Sequence, residues 1–167
     1  GPNTRLTDCA IGKDNVLEVV VGIATTTETG VTAGPRAYLR PGTYLCEGAH
    51  VGTHVEIKKS TVGPDSKVPH LSYIGDATIG TDVNIGAGSI TCNYDGVSKH
   101  KTVIGDFTFV GSNTMLVAPV TLGSNVVTGA ASCITKDVPD GALAVERNEQ
   151  KIVEDWTERH FTGKRKG

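Results

Sequence analysis

The feature that most constrains this chain is a strict six-residue period between Thr102 and Thr135. Glycine follows directly after four of the periodic positions, and a small or β-branched residue lies four residues after each. An α-helix would need apolar residues three and four apart, so the pattern predicts short strands separated by turns. The periodic positions are Ile104, Val110, Leu116, Leu122, Thr128 and Ile134.

Repeats this short predict an all-β fold, a parallel β-helix, because one repeat cannot bury its apolar residue and only stacked coils close a core. If three repeats complete one triangular coil, a residue lies beside the one 18 positions later, at the spacing of neighbouring strands, about 4.8 Å. We expect glycine at the corners to supply backbone dihedrals that other residues resist. The alternative is an antiparallel sandwich with coincidental spacing.

The period extends less regularly through the rest of the chain. It slips by one residue before Val62 and again before Ile79, which predicts bulged corners or functional loops. It is broken by threonines and glycines between Thr25 and Gly34, and it stops from Thr91 to Lys101. The polar segment 92–101 contains an Asp-Gly turn signal and is predicted to leave the prism as an excursion loop. Positions that keep the period are Ile11, Leu17, Ile23, Leu39, Leu45, Val51, Ile57, Val62, Val68, Ile74, Ile79 and Ile85.

The end of the chain reads differently. Pro139 and Gly141 stop the strands, and residues 148–161 predict a helix with Asn148 as N-cap, which would cap the last coil or pack on a neighbour. A frayed surface helix is the alternative, since isolated helices of this length are marginal. The expected organisation is a protease-cleavage scar at residues 1–2, a β-helix domain at 3–147, and a C-terminal helix with a basic tail at 148–167.

Composition limits the classes of function. The chain has 167 residues, enough for one domain, and its formal net charge of -2 argues against a nucleic-acid partner. No apolar run is long enough for a membrane span. The four cysteines show no CxxC pairing, so we expect a reduced, cytoplasmic protein.

Three residue types could carry chemistry. His70 follows a proline where the period slips, and a neutral imidazole there could take a proton from an attacking amine; an ordinary half-buried histidine is the alternative. Arg40 and Lys58 are 18 residues apart, so they should stack in adjacent coils and bind a phosphate or carboxylate between them; solvated surface charge is the alternative. A zinc site of His50, His54 and His70 is a further, weaker interpretation.

Several motifs in order carry a closer resemblance. They are Gly48-Ala49-His50-Val51-Gly52, His70-Leu71-Ser72-Tyr73-Ile74-Gly75-Asp76, Asn84-Ile85-Gly86-Ala87-Gly88, Thr91-Cys92-Asn93-Tyr94-Asp95-Gly96 and Val117-Ala118-Pro119-Val120. Over residues 34–156 the chain resembles the acetyltransferase domains of bacterial bifunctional glucosamine-1-phosphate acetyltransferases/N-acetylglucosamine-1-phosphate uridyltransferases. The resemblance implies a left-handed parallel β-helix of hexapeptide repeats that assembles as a homotrimer with inter-subunit active sites.

The resemblance also implies roles for individual residues. His70 would be the general base that deprotonates the amine of glucosamine 1-phosphate for attack on acetyl-CoA, with Asn93 orienting the reacting groups and Ser112 stabilising the developing charge. The residues implied to bind the sugar phosphate are Arg40, Lys58, Tyr73, Asn84 and Lys99. The residues implied to line the coenzyme A groove are Ala87, Tyr94, Ser112, Ala130 and Arg147.

The resemblance has limits. The family's nucleotidyl-transfer domain has no counterpart in the sequence, so we expect neither uridyl transfer nor its magnesium, and acetyl transfer itself needs no metal. Pro69 stands where we expect glycine, which questions the backbone path before His70. The rival functions are an acetyltransferase of the same fold with another acceptor, a non-catalytic trimerisation module, and a zinc hydrase.

Overall fold

The computed structural model describes residues 3–161, with side chains to residue 160, so the expected cleavage scar and basic tail lie outside the described residues. This part of the chain forms short strands and one helix. The strands of the first half are β1 (Arg5–Thr7), β2 (Ala10–Ile11), β3 (Val16–Leu17), β4 (Val21–Ile23), β5 (Thr26–Thr27), β6 (Thr32–Ala33), β7 (Tyr38–Leu39), β8 (Tyr44–Leu45), β9 (His50–Thr53), β10 (Glu56–Lys58), β11 (Thr61–Val62) and β12 (Lys67–His70). The later elements are β13 (Tyr73–Gly75), β14 (Ala77–Ile79), β15 (Asn84–Ile85), β16 (Ile90–Cys92), β17 (Thr102–Ile104), β18 (Phe109–Val110), β19 (Met115–Val117), β20 (Val120–Leu122), β21 (Val127–Thr128), β22 (Cys133–Ile134), β23 (Leu143–Ala144) and α1 (Trp156–Phe161).

Every third strand pairs in parallel, which makes three sheets around one core. The first face runs β1-β4-β7-β10-β13-β16-β19-β22, the second face β2-β5-β8-β11-β14-β17-β20, and the third face β3-β6-β9-β12-β15-β18-β21-β23. The predicted all-β parallel β-helix is therefore confirmed, and the sandwich is wrong.

The excursion loop is also confirmed. Thr102 pairs with Val120 in the following coil, 18 residues on, whereas Ala77 pairs with Thr102. The coil that holds the loop is thus seven residues longer than the next one, yet its strands return to the same columns. The one-residue slips appear as coils whose partners are 17 residues apart, such as Lys67 with His50.

The core is one cluster of inward side chains contributed by all three faces. The six periodic residues from Ile104 to Ile134 are all buried, as predicted. The expected break between Thr25 and Gly34 is wrong, because β5 and β6 continue the coil and Thr27, only 3 % exposed, takes the inward position. Ile23 is also not inward: Gly22 pairs with Leu39, and Val20 supplies the buried side chain.

The expectation that the periodic glycines supply unusual backbone dihedrals at the corners is wrong. At the corner between the third and first faces, positive φ angles recur in one column at Val19, Arg36, His54, Leu71, Gly88, Asn113 and Ala131. The periodic glycines lie elsewhere, with no positive φ: a Cβ on Gly111 would lie 2.5 Å from the carbonyl oxygen of Thr128, and one on Gly105 2.5 Å from the backbone of Gly123. Glycine is required there because consecutive coils approach closely.

The C-terminal prediction is wrong in extent. The helix begins at Trp156 and has six residues, so Asn148 is not its N-cap. Residues 146–160 are exposed and do not cap the last coil. No helix within residues 3–161 is long and apolar enough to cross a membrane. The four cysteines are all free.

Candidate functional site

Three cations meet at the corner between the first and second faces. Leu39 pairs with Ile57, and the same register places Arg40 beside Lys58 in the next coil, so the predicted stacking is confirmed. Lys99, from the excursion loop, interacts with both Lys58 and Arg40. We call Arg40, Lys58 and Lys99 the cationic cluster.

The cluster carries its own carboxylates, which the sequence reading missed. Arg40 Nη1 lies 2.7 Å from Glu56 Oε1, and Lys58 Nζ lies 3.1 Å from Asp76 Oδ2. Each stacked cation thus already has a carboxylate partner, and the predicted phosphate or carboxylate site between them stays a prediction. Three cations still face two carboxylates, which leaves an excess of positive charge at this corner. The same repeat offset could have found one partner, since Asp76 follows Lys58 by 18 residues.

The pKa shifts at this corner follow from the close contacts. The neighbouring Lys58 amine lowers the pKa of Lys99, and contact with Lys99, then with Asp76, raises the pKa of Lys58. Burial alone would raise the pKa of Asp76, but hydrogen bonds from Lys58 and Asn93 outweigh it and lower this pKa. Asp76 is therefore ionised at neutral pH. A doubly negative ligand would relieve the repulsion between the two lysines.

A polar network joins the cluster to the first face. Asn93, 7 % exposed, donates its Nδ2 amide to Asp76 Oδ2 at 2.5 Å and lies 3.4 Å from the Tyr73 hydroxyl. Gly75 leaves the room for this: a Cβ there would lie 2.5 Å from the Tyr73 hydroxyl and 2.6 Å from Asn93 Nδ2. The structure thus brings five of the predicted residues together, namely Arg40, Lys58, Tyr73, Asn93 and Lys99.

A second group runs down the corner between the third and first faces. His70 pairs with Thr53, and the registers Lys67 with Asn84, Asn84 with Phe109 and Phe109 with Val127 place Ala87, Ser112 and Ala130 in successive coils directly below it. Arg147 continues the line by donating Nη1 to the carbonyl oxygen of Ala130 at 2.8 Å. We call these residues the His70 row: His70, Ala87, Ser112, Ala130 and Arg147.

The His70 row is a line of mostly exposed residues along one corner of the prism. His70, Ser112, Ala130 and Arg147 are exposed and Ala87 is half-buried. At about 4.8 Å a coil, the distance from His70 to Ala130 is roughly 14 Å. Phe109, Val127 and Leu143 form an exposed apolar strip on the third face beside it. Pro69 lies within β12, so the backbone path before His70 is regular despite the missing glycine.

The two groups do not meet within one chain. The first face begins at the corner residue Leu71 and ends at the corner residue Asp76, both with positive φ. Five residues of strand span roughly 16 Å. His70 and the cationic cluster therefore lie on opposite edges of the same face.

Two predicted residues lie outside both groups. Asn84 is on the third face, between Lys67 and Phe109. Tyr94 is in the excursion loop, where it forms an antiparallel bridge with Lys99 and donates its hydroxyl proton to the Gly96 carbonyl oxygen at 2.7 Å. A single chain does not bring either residue to the place that the resemblance implies.

The excursion loop is held by Asp95. Its Oδ1 accepts the backbone amides of Val97 and Ser98, each at 2.7 Å, and its Oδ2 lies 2.6 Å from His100 Nε2. The amide of Ser98, the His100 side chain and the amide of Val97 keep the pKa of Asp95 well below its usual range. The exposed Lys99 thus stands on an ordered hairpin.

The three histidines proposed for zinc do not form a ligand set. His50 shares a hydrogen bond with Thr32 Oγ1 at 2.7 Å, and burial, then His70 and Lys67, lowers its pKa. His54 is a corner residue. Among residues 3–160, no group of three or more histidine, cysteine, aspartate or glutamate side chains could hold a metal ion.

The chain has close relatives by sequence. It is 58 % identical over 163 residues to bifunctional protein GlmU of Heliobacterium modesticaldum, a match that covers 98 % of this chain and 36 % of the relative. For GlmU of Desulfitobacterium hafniense the identity is 55 % over 156 residues, covering 93 % of this chain and 34 % of the relative. The chain thus spans about a third of the length of these relatives. No family model matches the chain.

Solved structures support the fold. PerB from Caulobacter crescentus, solved in complex with CoA and GDP-perosamine, aligns with a TM-score of 0.63 and 20 % identity, covering 75 % of this chain and 68 % of that one. A mutant of perosamine N-acetyltransferase from the same organism gives a TM-score of 0.56 and 21 % identity, covering 73 % and 53 %. These structures show the fold alone, whereas the sequence relatives bear out the motifs: the chain is similar to about a third of the length of the bacterial GlmU proteins, consistent with their C-terminal acetyltransferase domain.

Proposed function

We propose that the chain transfers the acetyl group of acetyl-CoA to the amine of glucosamine 1-phosphate. The products would be N-acetylglucosamine 1-phosphate and coenzyme A, in the synthesis of UDP-N-acetylglucosamine for cell-wall precursors. The observation that carries the proposal is the His70 row, which aligns a base, two small side chains, a hydroxyl and a distal guanidinium along one corner. The sequence similarity to GlmU supports the choice of acceptor.

The His70 row suits the acyl donor. An extended thioester arm needs a narrow path without bulky side chains, and Ala87, Ser112 and Ala130 offer one. Arg147, at the far end, would bind a phosphate of coenzyme A, because a guanidinium matches phosphate geometry. The thioester would then lie at the end where His70 is.

The cationic cluster suits the acceptor's phosphate. A phosphate monoester carries nearly two negative charges at neutral pH. The cluster has one more cation than carboxylate, and Lys58 and Lys99 are close enough to perturb each other's pKa. Tyr73 and Asn93, next to the cluster, would contact the sugar.

The reaction itself is a simple acyl transfer. His70 accepts a proton from the acceptor amine as the nitrogen attacks the thioester carbonyl carbon, and a C–N bond forms. Negative charge develops on the carbonyl oxygen, where the Ser112 hydroxyl would donate a hydrogen bond. The C–S bond then breaks, and the departing thiolate takes up the proton.

The separation of His70 from the cationic cluster supports an assembly of chains. The two groups lie roughly 16 Å apart on one face. A site that uses both therefore requires a neighbouring chain whose corner lies beside that of the first chain. We therefore propose a homotrimer in which each active site takes residues from more than one subunit. The free cysteines support a reduced, cytoplasmic location.

Thiol release from acetyl-CoA in the presence of glucosamine 1-phosphate tests the proposal. We expect His70→Gln to lower kcat by about 100-fold or more, in the range for loss of a general base. The matched control is His54→Gln, an exposed histidine one coil above at the neighbouring corner position, which should keep wild-type activity. Absence of thiol release by the wild-type protein, or full activity of His70→Gln with an unchanged melting curve, would overturn the proposal. Thiol release with another amino sugar, and none with glucosamine 1-phosphate, would show that the acceptor is a different amino sugar.

A further inference from the structure

Asp76 contacts two of the residues placed in the acceptor site, yet it has no role in the reaction described so far. Its Oδ2 accepts hydrogen bonds from Lys58 Nζ at 3.1 Å and from Asn93 Nδ2 at 2.5 Å. Its side chain is 16 % exposed, and that of Lys58 is 10 % exposed. A carboxylate with this little solvent acts on its neighbours through fixed hydrogen bonds.

The chemistry of Asp76 decides which way the Asn93 amide points. An ionised carboxylate can only accept hydrogen bonds, so the group of Asn93 next to it must be the NH₂. The side-chain oxygen of Asn93 then points away from Asp76. Within residues 3–160 the hydrogen bonds of this amide are made by Nδ2, which leaves Oδ1 as an available acceptor.

We propose that Asp76 is a positioning residue that fixes the Asn93 amide with its oxygen available to accept a hydrogen bond from the acceptor amine. The inference rests on the function proposed above. An amine that donates one proton to Asn93 has its lone pair directed away from that bond, which orients the nucleophile before His70 removes a proton. Tyr73 takes part because the Asn93 NH₂ also faces its hydroxyl oxygen.

Asp76→Asn is the test, because the change keeps the shape and adds a donor. Asparagine tolerates the positive φ of this corner about as well as aspartate does. The new side-chain NH₂ can donate to Asn93 Oδ1, so the Asn93 amide can turn over and present its own NH₂ to the amine. We expect kcat to fall about 10- to 100-fold, the cost of misplacing a reacting group, while the KM for acetyl-CoA stays unchanged.

A double-mutant cycle separates positioning from a general structural effect. In an Asn93→Ala background, Asp76→Asn has no amide left to orient, so it should change kcat by less than about twofold. The matched control is Asp82→Asn, a corner aspartate that also has a positive φ, 52°, but is exposed, and it should leave kcat unchanged. Equal loss of kcat from Asp76→Asn with and without Asn93, or wild-type kcat for Asp76→Asn, would overturn the inference.

An NMR measurement on the wild-type protein tests the network without activity. Asparagine is labelled with ¹⁵N, and the Asn93 side-chain NH₂ signals are assigned by their loss in Asn93→Ala. These signals should shift as Asp76 becomes protonated, at a pH below the usual aspartate pKa of about 3.9. Signals that do not respond, while the protein stays folded, would overturn the inference even where the enzyme is active. Failure of the wild-type protein to acetylate glucosamine 1-phosphate would instead remove the proposed function and, with it, the role toward the amine.

Discussion

Mixed assemblies of two inactive variants provide a quantitative test of how the site is built. His70→Ala removes the base at one edge of the first face, and Lys99→Glu reverses a charge of the cationic cluster at the other edge. Both side chains are exposed, so neither change should affect folding. In the proposed homotrimer, each site takes His70 from one chain and Lys99 from its neighbour.

The expected activity follows from counting chains. A trimer that carries both tags contains both variants, two chains of one and one chain of the other. In such a cyclic trimer one of the three sites combines an intact His70 with an intact Lys99, so we expect about one third of wild-type activity. The two pure variants should each retain less than about 1 % of wild-type activity, given the usual contribution of a general base and of phosphate binding.

Co-expression with two affinity tags, followed by purification through both tags, supplies the mixed assemblies, and thiol release measures their activity. A matched control pairs His70→Ala with Ser112→Ala. Both residues lie in the His70 row of a single chain, so mixing should restore nothing. Mixed His70→Ala and Lys99→Glu chains that are no more active than their parents would refute the inter-subunit site.

Two further predictions concern stability and the loop. Gly111→Ala should lower the free energy of unfolding by about 1–3 kcal/mol, the usual cost of overpacking, because its Cβ would meet the Thr128 carbonyl oxygen. The Cβ of Gly129→Ala would instead meet the movable Val145 side chain at 2.9 Å, so this variant should lose less stability. Thermal melts of the two variants measure the difference. Equal losses would show that close approach of the coils is not the reason for glycine at position 111. Asp95→Asn should speed hydrogen exchange at the Val97 and Ser98 amides at neutral pH, with the Asp95 side chain no longer a charged acceptor. Because the pKa of Asp95 is lowered on folding, its stabilising contribution is present above its unfolded value of about 3.9 and is lost as the pH falls through the folded value. Unchanged exchange in Asp95→Asn would mean that other contacts order the loop.

Much of the architecture could be predicted because a solenoid repeats one local rule. The six-residue period located the core from Ile104 to Ile134, and an offset of 18 residues placed Arg40 beside Lys58. The period failed at Thr27 and Gly22, where inward positions are filled by residues that are not aliphatic. A hydropathy pattern does not identify such inward positions, because it scores threonine as polar even where the side chain is buried.

The remaining errors arose from contacts between coils. Glycine at position 111 could indicate either a positive φ or a close neighbour, and only the position of Thr128 decides between them. Asp76 was missed because an acidic residue at a corner resembles ordinary turn chemistry. The helix was placed too early because an apolar pattern at residues 152–156 predicts burial, whereas Ile152 is 74 % exposed.

The way the excursion loop joins the prism has a practical consequence. The extra seven residues enter and leave at one corner, and Thr102 still pairs with Ala77 as if they were absent. Since loop closure costs little more as a loop lengthens, the exposed tip at Asp95 and Gly96 should accept grafted peptides without disturbing the coils above and below. Such grafts would hold a foreign sequence at the rim of the proposed acceptor pocket, where new specificity for larger sugars could be selected.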